Sequence, residues 1–226
     1  MAKTPVSTLL SWSSGKDSAW TLHLLRQGGG YAVTGLLTTV NAAFDRVAMH
    51  STRRALLEAQ AVAVGLPLTV VPLPWPCSNA QYEAAMQSAC AKAVADGVEA
   101  VAFGDLFLED VRRYREERLK GTGLAPVFPV WGLDTRALAE EMIAAGVKTR
   151  IVCVDPKKMP KELAGRDLDM ELLRDLPEGV DPCGENGEFH SFVYDGPMFR
   201  SAIPIESGEV AERDGFVFAD VLLRHS

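Results

Sequence analysis

The residues with the clearest capacity for chemistry form a polar loop, SSGKDS at 13–18, between the apolar run LLSW at 9–12 and a second apolar stretch. A loop between a strand and a helix points backbone N–H groups and the helix N-terminus at a bound anion. Gly15 allows the backbone to approach a phosphate closely, and Lys16 adds a positive charge. Hydroxyl donors come from Ser13, Ser14 and Ser18. The pattern therefore predicts a phosphate-binding loop.

This loop departs from the most familiar phosphate-binding motif. The Walker A pattern G-x-x-x-x-G-K-[ST] requires glycine where Leu10 stands and a hydroxyl residue where Asp17 stands. The alternative to a nucleotide site is an ordinary helix start, because serine and aspartate are favoured at helix N-termini. The position of the loop, directly after the first predicted strand and before an apolar helix, favours the nucleotide site.

A second polar cluster lies at 184–190, with the sequence GENGEFH. Glu185, Glu188 and His190 could bind a metal ion, hold ammonium or act as a general base. The alternative is a polar turn with a tight bend at Asn186. Two carboxylates and an imidazole exceed what a turn requires, so the cluster favours a functional role.

Further candidates lie at the ends of predicted strands. Gly104 and Asp105 follow the fourth predicted strand, at the sheet edge where ligands bind, so Asp105 is predicted to face the nucleotide or its metal ion. Thr38 ends the second predicted strand, where it could meet adenine or ribose. His50 starts a predicted helix and, by its position alone, is typical of a capping or packing residue.

Two other groups of residues are assigned structural roles. The basic run at 112–120 is predicted to be a solvated helix face, with docking of an acidic partner or pyrophosphate as the alternative. Trp75, Phe128 and Trp131 are predicted to lie in the core.

The elements that must position these residues alternate along the first two thirds of the chain. Nearly continuous apolar runs, which indicate strands covered on both faces, occur at 7–12, 33–40, 68–73, 99–104 and 149–154. Helix-like stretches lie between them, at 17–27, 50–64, 79–96, 110–120 and 135–145. This alternation predicts an α/β fold with a doubly wound, Rossmann-like parallel sheet.

The last third of the chain has a different character. After about residue 155 it is rich in Pro, Gly, Asp and Glu, and from 189 onward it has the pattern of short strands. Asp214-Gly215, between two strand-like runs, predicts a hairpin turn. We therefore expect an ATP-binding domain over 1–125 and a smaller α+β region that binds the substrate over 126–226.

The composition is that of a globular protein of 226 residues, with 47% apolar and 23% charged residues. Its net charge of −7 argues against a broad basic surface for nucleic acid. No apolar run reaches the roughly 18 residues that a membrane span needs, and the first residues lack the layout of a signal peptide. The four cysteines form no C-x-x-C pair, so we expect a cytoplasmic protein with reduced thiols and no need for zinc or a disulfide.

The loop at 13–18 resembles the S-G-G-x-D-S loop of the PP-loop ATP pyrophosphatases, whose fold belongs to the same Rossmann-like (HUP) type. Ser14 stands where that pattern has glycine, which is acceptable if its φ stays negative. The resemblance implies that residues 13–18 grip the β- and γ-phosphates of ATP, that the α-phosphate is attacked, and that pyrophosphate leaves with Mg²⁺. It also implies that Asp17, with Asp105, holds the Mg²⁺ ion.

Two longer stretches, 103–132 and 181–199, together with this loop closely resemble the diphthine–ammonia ligase family, the ATP-dependent amidases that complete diphthamide on elongation factor 2. The resemblance implies an AMP-forming amide ligase that adenylates a carboxylate and then amidates it with ammonia. Substrate and ammonia handling fall to Glu185, Asn186, Glu188 and His190, and His50 is implied to lie near the nucleotide. The implied acceptor is a modified histidine on elongation factor 2.

A diphthine acceptor would carry a trimethylammonium group, which aromatic faces and carboxylates hold best. We expect these groups from 184–199, including Phe189 and Phe192, with the His190 side of the strand at 189–194 facing the pocket.

Other functions stay open. The same pattern fits an AMP-forming ligase for another carboxylate, or a sensor that binds ATP without turnover, although the cluster at 184–190 counts against a sensor. Sulfur transfer onto tRNA is disfavoured by the cysteine spacing and the negative charge. Membrane partners are not expected, nucleic acid is disfavoured, and the oligomeric state, including a homodimer, stays open.

Overall fold

The computed structural model describes residues 4–47 and 51–224. Its first sheet contains five parallel strands and one short antiparallel strand. These strands are β1 (Val6–Ser11), β2 (Tyr31–Asn41), β3 (Arg46–Val47), β4 (Leu68–Leu73), β5 (Ala100–Ala102) and β6 (Ala125–Val127). The parallel strands lie in the order β4-β2-β1-β5-β6, and β3 pairs antiparallel with the end of β2. The predicted α/β fold with a mainly parallel sheet is confirmed.

The strand order places the candidate residues together. The chain builds outward from β1 through β2 to β4, and then returns to the opposite side of β1 to form β5 and β6. The carboxyl ends of β1 and β5 therefore flank the point where the strand order reverses, which is where open α/β sheets bind ligands. The loop at 13–18 follows β1 and Gly104 follows β5, so the fold brings these segments to one edge.

Six α-helices and one short 3₁₀ helix are present in the described residues. The α-helices are α1 (Lys16–Gly28), α2 (Arg54–Val64), α3 (Asn79–Ala95), α4 (Glu109–Leu119), α5 (Thr135–Ala144) and α6 (Met170–Asp175), and the 3₁₀ helix is Lys161–Leu163. Local chemistry explains their ends. Gly29 and Gly65 end α1 and α2 in the left-handed region, and Ser78 begins α3 with a capping box.

The buried face of α2 includes Leu57, Gln60 and Val64, whereas Val62 is 77% exposed. The helix therefore buries one polar residue, Gln60, among apolar neighbours.

The second sheet is antiparallel and contains β7 (Lys148–Val154), β8 (Phe189–Asp195), β9 (Ile205–Arg213) and β10 (Phe216–Leu223), in the order β8-β7-β10-β9. Assignment of 149–154 to the parallel sheet was wrong, and β6 takes that place. The reason is that β7 is also covered on both faces: Ile151 and Val154 pack in the main core, and Val152 packs in a separate apolar cluster with α2 and β8. A continuous apolar run indicates a strand that is covered on both faces. An antiparallel strand packed between two cores has the same pattern as a strand of a parallel sheet.

Other details of the C-terminal region follow the sequence. The predicted hairpin is confirmed, since Asp214 and Gly215 both have positive φ (53° and 82°) between β9 and β10. The strand-like run at 198–205 contributes only Ile205 to a strand. The division at residue 125 remains a prediction. Within residues 4–47 and 51–224, no helix combines the length and apolarity that a membrane crossing requires.

Candidate active site

The candidate phosphate-binding loop at 13–18 lies between β1 and α1 with a defined backbone. Gly15 precedes α1 in an extended conformation (φ −88°, ψ 173°). The Ser18 hydroxyl donates to the Gly15 carbonyl at 2.9 Å and lies 3.2 Å from the Ser13 hydroxyl. The Gly15 N–H in turn donates to the Ser13 hydroxyl at 3.3 Å. The loop therefore opens at a helix N-terminus, a geometry suited to an anion.

Ser14 departs from the expected backbone geometry. Its φ is +75°, in the left-handed region, so the condition of a negative φ, under which serine would replace glycine without strain, is not met. Its hydroxyl shares a 2.8 Å hydrogen bond with Thr52, and its carbonyl accepts from Gln60 Nε2 at 3.0 Å and from the Val193 N–H at 3.0 Å. These contacts hold a residue in a conformation that costs a non-glycine residue about 1–3 kcal/mol.

Lys16 is buried rather than directed at solvent, with 2% exposure. Its ammonium donates to both carboxylate oxygens of Asp17 (3.0 and 2.9 Å) and to the carbonyl of Cys183, and lies 5.4 Å from the centre of the Phe189 ring. Its backbone N–H donates to the Ser191 hydroxyl at 3.3 Å. The loop and the segment at 181–191 therefore form one continuous site.

Burial and charge act against each other in the Lys16–Asp17 pair. Burial alone would lower the pKa of the Lys16 ammonium, but the Asp17 carboxylate raises it above its ordinary value. Burial raises the pKa of Asp17, and the Lys16 ammonium opposes that shift. The ammonium therefore stays charged, and its charge is directed to Asp17 and the C-terminal segment.

Gly104 is required by close packing at the end of β5. A Cβ at this position would lie 2.9 Å from the carbonyl carbon of Asp17 and 3.0 Å from the backbone nitrogen of Ser18. A side chain would therefore collide with the backbone of the phosphate loop. Asp105, the next residue, accepts from Arg115 at 2.6 Å and 3.3 Å.

Glu185 lies where the two regions meet. One carboxylate oxygen accepts from the Leu106 N–H at 2.8 Å, just past β5. The pKa of Glu185 is raised to about 7 by burial, with the carboxylates of Asp17 and Asp105 acting in the same direction and the Leu106 N–H acting against it. Glu185 is therefore a carboxyl group poised to exchange a proton near neutral pH.

Glu188 is a buried carboxylate with unequal oxygens. Oε1 accepts from the Asp181 N–H at 3.1 Å and from Asn186 Nδ2 at 3.2 Å, whereas Oε2 accepts from no described residue. His190 is half-buried on β8. Because Glu185 donates its own N–H to Asp181 at 2.8 Å, the predicted cluster is one folded turn.

The face of β8 that meets the loop is the Phe189 side, and the predicted acceptor pocket on the His190 side stays a prediction. Phe189 and Ser191 contact Lys16, and the Val193 N–H contacts Ser14, so the His190 side does not face the loop. Phe189 and Phe192 are fully buried, and Phe189 already lies under the Lys16 ammonium. In this fold the cation next to Phe189 is Lys16, and the role of these rings in holding a substrate cation stays a prediction.

A cavity of about 210 Å³ opens beside the loop at the carboxyl edge of the sheet. Its walls include Ser13 from the loop, Thr38 and Thr39 from β2, and Arg115 from α4. The Thr38 hydroxyl is buried and has no hydrogen-bond partner among the described residues, so it is free to meet a ligand. A second cavity of about 490 Å³ between α3 and α4 also has Arg115 in its wall.

The two carboxylates predicted to hold Mg²⁺ are each engaged by a cation here, Asp17 by Lys16 and Asp105 by Arg115. Among the described residues, no group of three His, Cys, Asp or Glu side chains is arranged to hold a metal ion. Asp17 and Asp105 therefore do not form a metal site from protein ligands alone. Mg²⁺ commonly takes most of its ligands from water and substrate phosphates.

Three structural assignments also need comment. Trp75, predicted to lie in the core, is 64% exposed. Phe128 and Trp131 are half-buried and both hold the guanidinium of Arg112, at 4.8 and 4.7 Å from their ring centres. The basic run is therefore only partly solvated. His50 lies outside the described residues.

Several site residues were not found from the sequence. Thr52, Gln60 and Ser191 fix the loop, yet none belongs to a motif. Gln60 left one signal: it is a polar residue on the apolar face of α2, where its amide also donates to the Val193 carbonyl. Arg115 was hidden among neighbouring arginines.

The fold and site define an α/β protein with a Rossmann-like sheet, a loop suited to anions, and a C-terminal antiparallel region that completes the site. Residues 134–220 match the family model of the diphthamide synthase C-terminal domain. The resemblance to the diphthine–ammonia ligase family is confirmed.

Comparison with individual proteins also points to the diphthine–ammonia ligases. The proteins named diphthine–ammonia ligase from Bos taurus and Homo sapiens are each 34% identical over 130 residues, covering 55% of this chain and 48% of theirs. The protein of that name from Danio rerio is 35% identical over 130 residues, covering 55% of this chain and 51% of its own. The chain thus spans about half the length of the curated relatives it matches.

Proposed function

We propose that this protein is a cytoplasmic, ATP-dependent, AMP-forming amide ligase that adenylates a carboxylate and amidates it with ammonia. One observation carries the proposal. The phosphate-binding loop and the acidic turn, about 170 residues apart in sequence, are joined through Lys16, whose ammonium contacts Cys183 and whose N–H contacts Ser191. A phosphate site beside a proton-accepting site is what adenylation followed by ammonia attack requires.

In this proposal the helix N-terminus and the serine hydroxyls at 13–18 bind the phosphates of ATP, Lys16 holds the loop against the acidic turn, and Thr38 meets the nucleoside. Mg²⁺ accompanies ATP and neutralises phosphate charge, with Asp17 as its protein ligand of choice because that carboxylate is 23% exposed. Asp105 is paired with Arg115 in this fold.

The turn at 181–190 handles the nitrogen. Ammonia attacks the carbonyl carbon of the acyl adenylate, the C–N bond forms, the bond from the acyl carbon to the phosphate oxygen breaks, and AMP leaves. Glu185, with a pKa raised to about 7, fits the group that takes the proton released by the attacking nitrogen. Glu188, Asn186 and His190 complete the binding of substrate and ammonium, and Oε2 of Glu188, which accepts from no described residue, is an acceptor for N–H donors.

The acceptor we favour is diphthine on elongation factor 2, because the relatives are named for that reaction. The proposal requires that the protein, ATP, Mg²⁺ and ammonium yield AMP and pyrophosphate together with amide on this acceptor. Chromatography distinguishes AMP from ADP, and mass spectrometry detects the amide. Stoichiometric ADP without AMP would contradict the proposal, whereas AMP formed only with other carboxylates would replace the acceptor.

Glu188→Gln separates the two halves of the site. We expect it to reduce amide formation strongly while ATP binding persists, because the phosphate loop is untouched. Glu178→Gln, which removes an exposed carboxylate outside the cluster, is the matched control. Equal loss of ATP affinity and amidation in Glu188→Gln would assign this turn to the nucleotide site instead.

A further inference from the structure

The cation of the phosphate loop is not available to a nucleotide in this fold. Lys16 is 2% exposed, and its three donors are directed at the Asp17 carboxylate and the Cys183 carbonyl. Burying a charged group that is already paired gives it little freedom to reach another partner. The negative charge of a bound nucleotide therefore needs a second positive group.

Arg115 meets that need. It is the only basic residue among the described residues that line the cavity of about 210 Å³ beside the loop. Its Nε and Nη2 donate to the two oxygens of Asp105, and its guanidinium lies 4.5 Å from the centre of the Phe103 ring. A guanidinium fixed on one side by a carboxylate and on its face by a ring keeps further N–H groups for a ligand.

The walls of this cavity indicate which phosphate Arg115 would meet. From the loop the cavity includes only Ser13, at the loop's start, and not the helix N-terminus at 15–18. Its other walls include Thr38 and Thr39, and the proposed function places the nucleoside beside Thr38. The phosphate that reaches this position is the one nearest the ribose.

We infer that Arg115 binds the α-phosphate of the nucleotide and that Asp105 is the positioning residue that aims it. This inference rests on the proposed use of ATP and adds a binding residue to it. The α-phosphate is the group that stays on the acyl adenylate, so Arg115 would contact ATP, the intermediate and AMP. In this role Asp105 acts through Arg115.

The test measures binding of ATP, AMP and adenosine by isothermal titration calorimetry, which requires no acceptor. We expect Arg115→Gln to weaken AMP and ATP about 10- to 100-fold, the usual effect of losing a hydrogen bond to a charged group, and to leave adenosine within about twofold. The affinity of Arg115→Lys for AMP should lie between those of the wild type and Arg115→Gln, because lysine keeps the positive charge but lacks the paired N–H donors of a guanidinium. Arg113→Gln, an exposed arginine on the same helix that lines neither cavity, controls for net charge.

The outcomes separate the inference from the proposed function. If the wild-type protein binds neither ATP nor AMP, the proposed function fails. If the wild type binds both and Arg115→Gln binds AMP equally well, the inference fails while the function stands. Equal weakening of adenosine would also overturn it, because that result would show collapse of the cavity rather than loss of a phosphate contact.

The positioning role of Asp105 has its own test. Arg115→Gln leaves the Asp105 carboxylate, which is 15% exposed, without its arginine. The double variant Asp105→Asn with Arg115→Gln removes this unpaired charge, so the effect on binding can be measured in a protein that folds. We expect Asp105→Asn alone to weaken AMP and the double variant to be no weaker than Arg115→Gln, since residues that act as a unit are not additive. Additive losses would show that Asp105 contacts the nucleotide or its metal ion directly.

Discussion

Replacing Glu185 by Gln should raise the free energy of unfolding above that of the wild type, and this gain should be larger at neutral pH than at acidic pH. Burial, reinforced by Asp17 and Asp105, raises the pKa of Glu185 to about 7 from its ordinary 4.5. In the unfolded chain this carboxyl ionises near 4.5, whereas in the folded protein it keeps its proton until about pH 7. The wild type therefore loses stability as the pH rises through this window, and a glutamine does not.

The magnitude follows from the width of the window. A single group changes the free energy of unfolding by at most ~1.36 kcal/mol per pH unit, so about 2.5 units set a ceiling of ~3.4 kcal/mol. Glu185 is only partly buried, and water screens its neighbours, so we expect ~1–2 kcal/mol. Gln can still accept from the Leu106 N–H, so the substitution removes the charge and retains the shape.

Urea denaturation of both proteins at several values between pH 4.5 and 8.5 measures this difference. We expect it to be small at the acidic end, to grow through neutral pH, and to level off above pH 8. The exposed Glu178→Gln variant controls for the loss of one negative charge. A difference between Glu185→Gln and wild type that does not change with pH would refute the assignment of Glu185 as a buried, proton-exchanging carboxyl group.

Three further outcomes follow from the packing. Gly104→Ala should lower the free energy of unfolding by about 1–3 kcal/mol and weaken ATP binding in calorimetry, because its Cβ would lie 2.9 Å from the carbonyl carbon of Asp17; unchanged values for both would contradict this. Ser14→Gly should be more stable than Ser14→Ala by about 1 kcal/mol in urea, since only glycine relieves the positive φ, and the reverse order would count against strain there. In thiol labelling at pH 8, Cys77 should react well before Cys183, because Cys183 is buried and burial raises the pKa of its thiol to about 12. Equal labelling rates would show that the turn beside Cys183 opens readily.

Much of the fold was predictable because local patterns and global arrangement agree. The apolar runs of β1, β2, β4 and β5 are covered on both faces, and the helices between them end at glycines or begin at capping residues. The assignment of β7 failed because the same apolar pattern arises when an antiparallel strand is packed between two cores. Sequence pattern reports how many faces are covered, and it does not report which sheet provides the neighbours.

The site was predictable in its parts and not in its connections. The loop at 13–18 and the turn at 184–190 are marked by residue types with no structural need. Their joining through the Cys183 carbonyl and the Ser191 hydroxyl depends on backbone and small side chains, which leave no motif. Arg115 could not be distinguished from its neighbours, because only the tertiary structure shows which arginine enters the cavity.

The two regions of the chain depend on each other at the phosphate loop. The Ser14 carbonyl accepts from Gln60 of α2 and from the Val193 N–H of β8, so one atom is fixed from both regions. The Lys16 ammonium is likewise shared between Asp17 and the Cys183 carbonyl. Residues beyond 125 supply the Val193 N–H to the Ser14 carbonyl and the Cys183 carbonyl to the Lys16 ammonium, and each such hydrogen bond contributes about 0.5–1.5 kcal/mol, or more where a charged group takes part. The C-terminal region therefore helps to hold the loop in the conformation that places it beside the acidic turn.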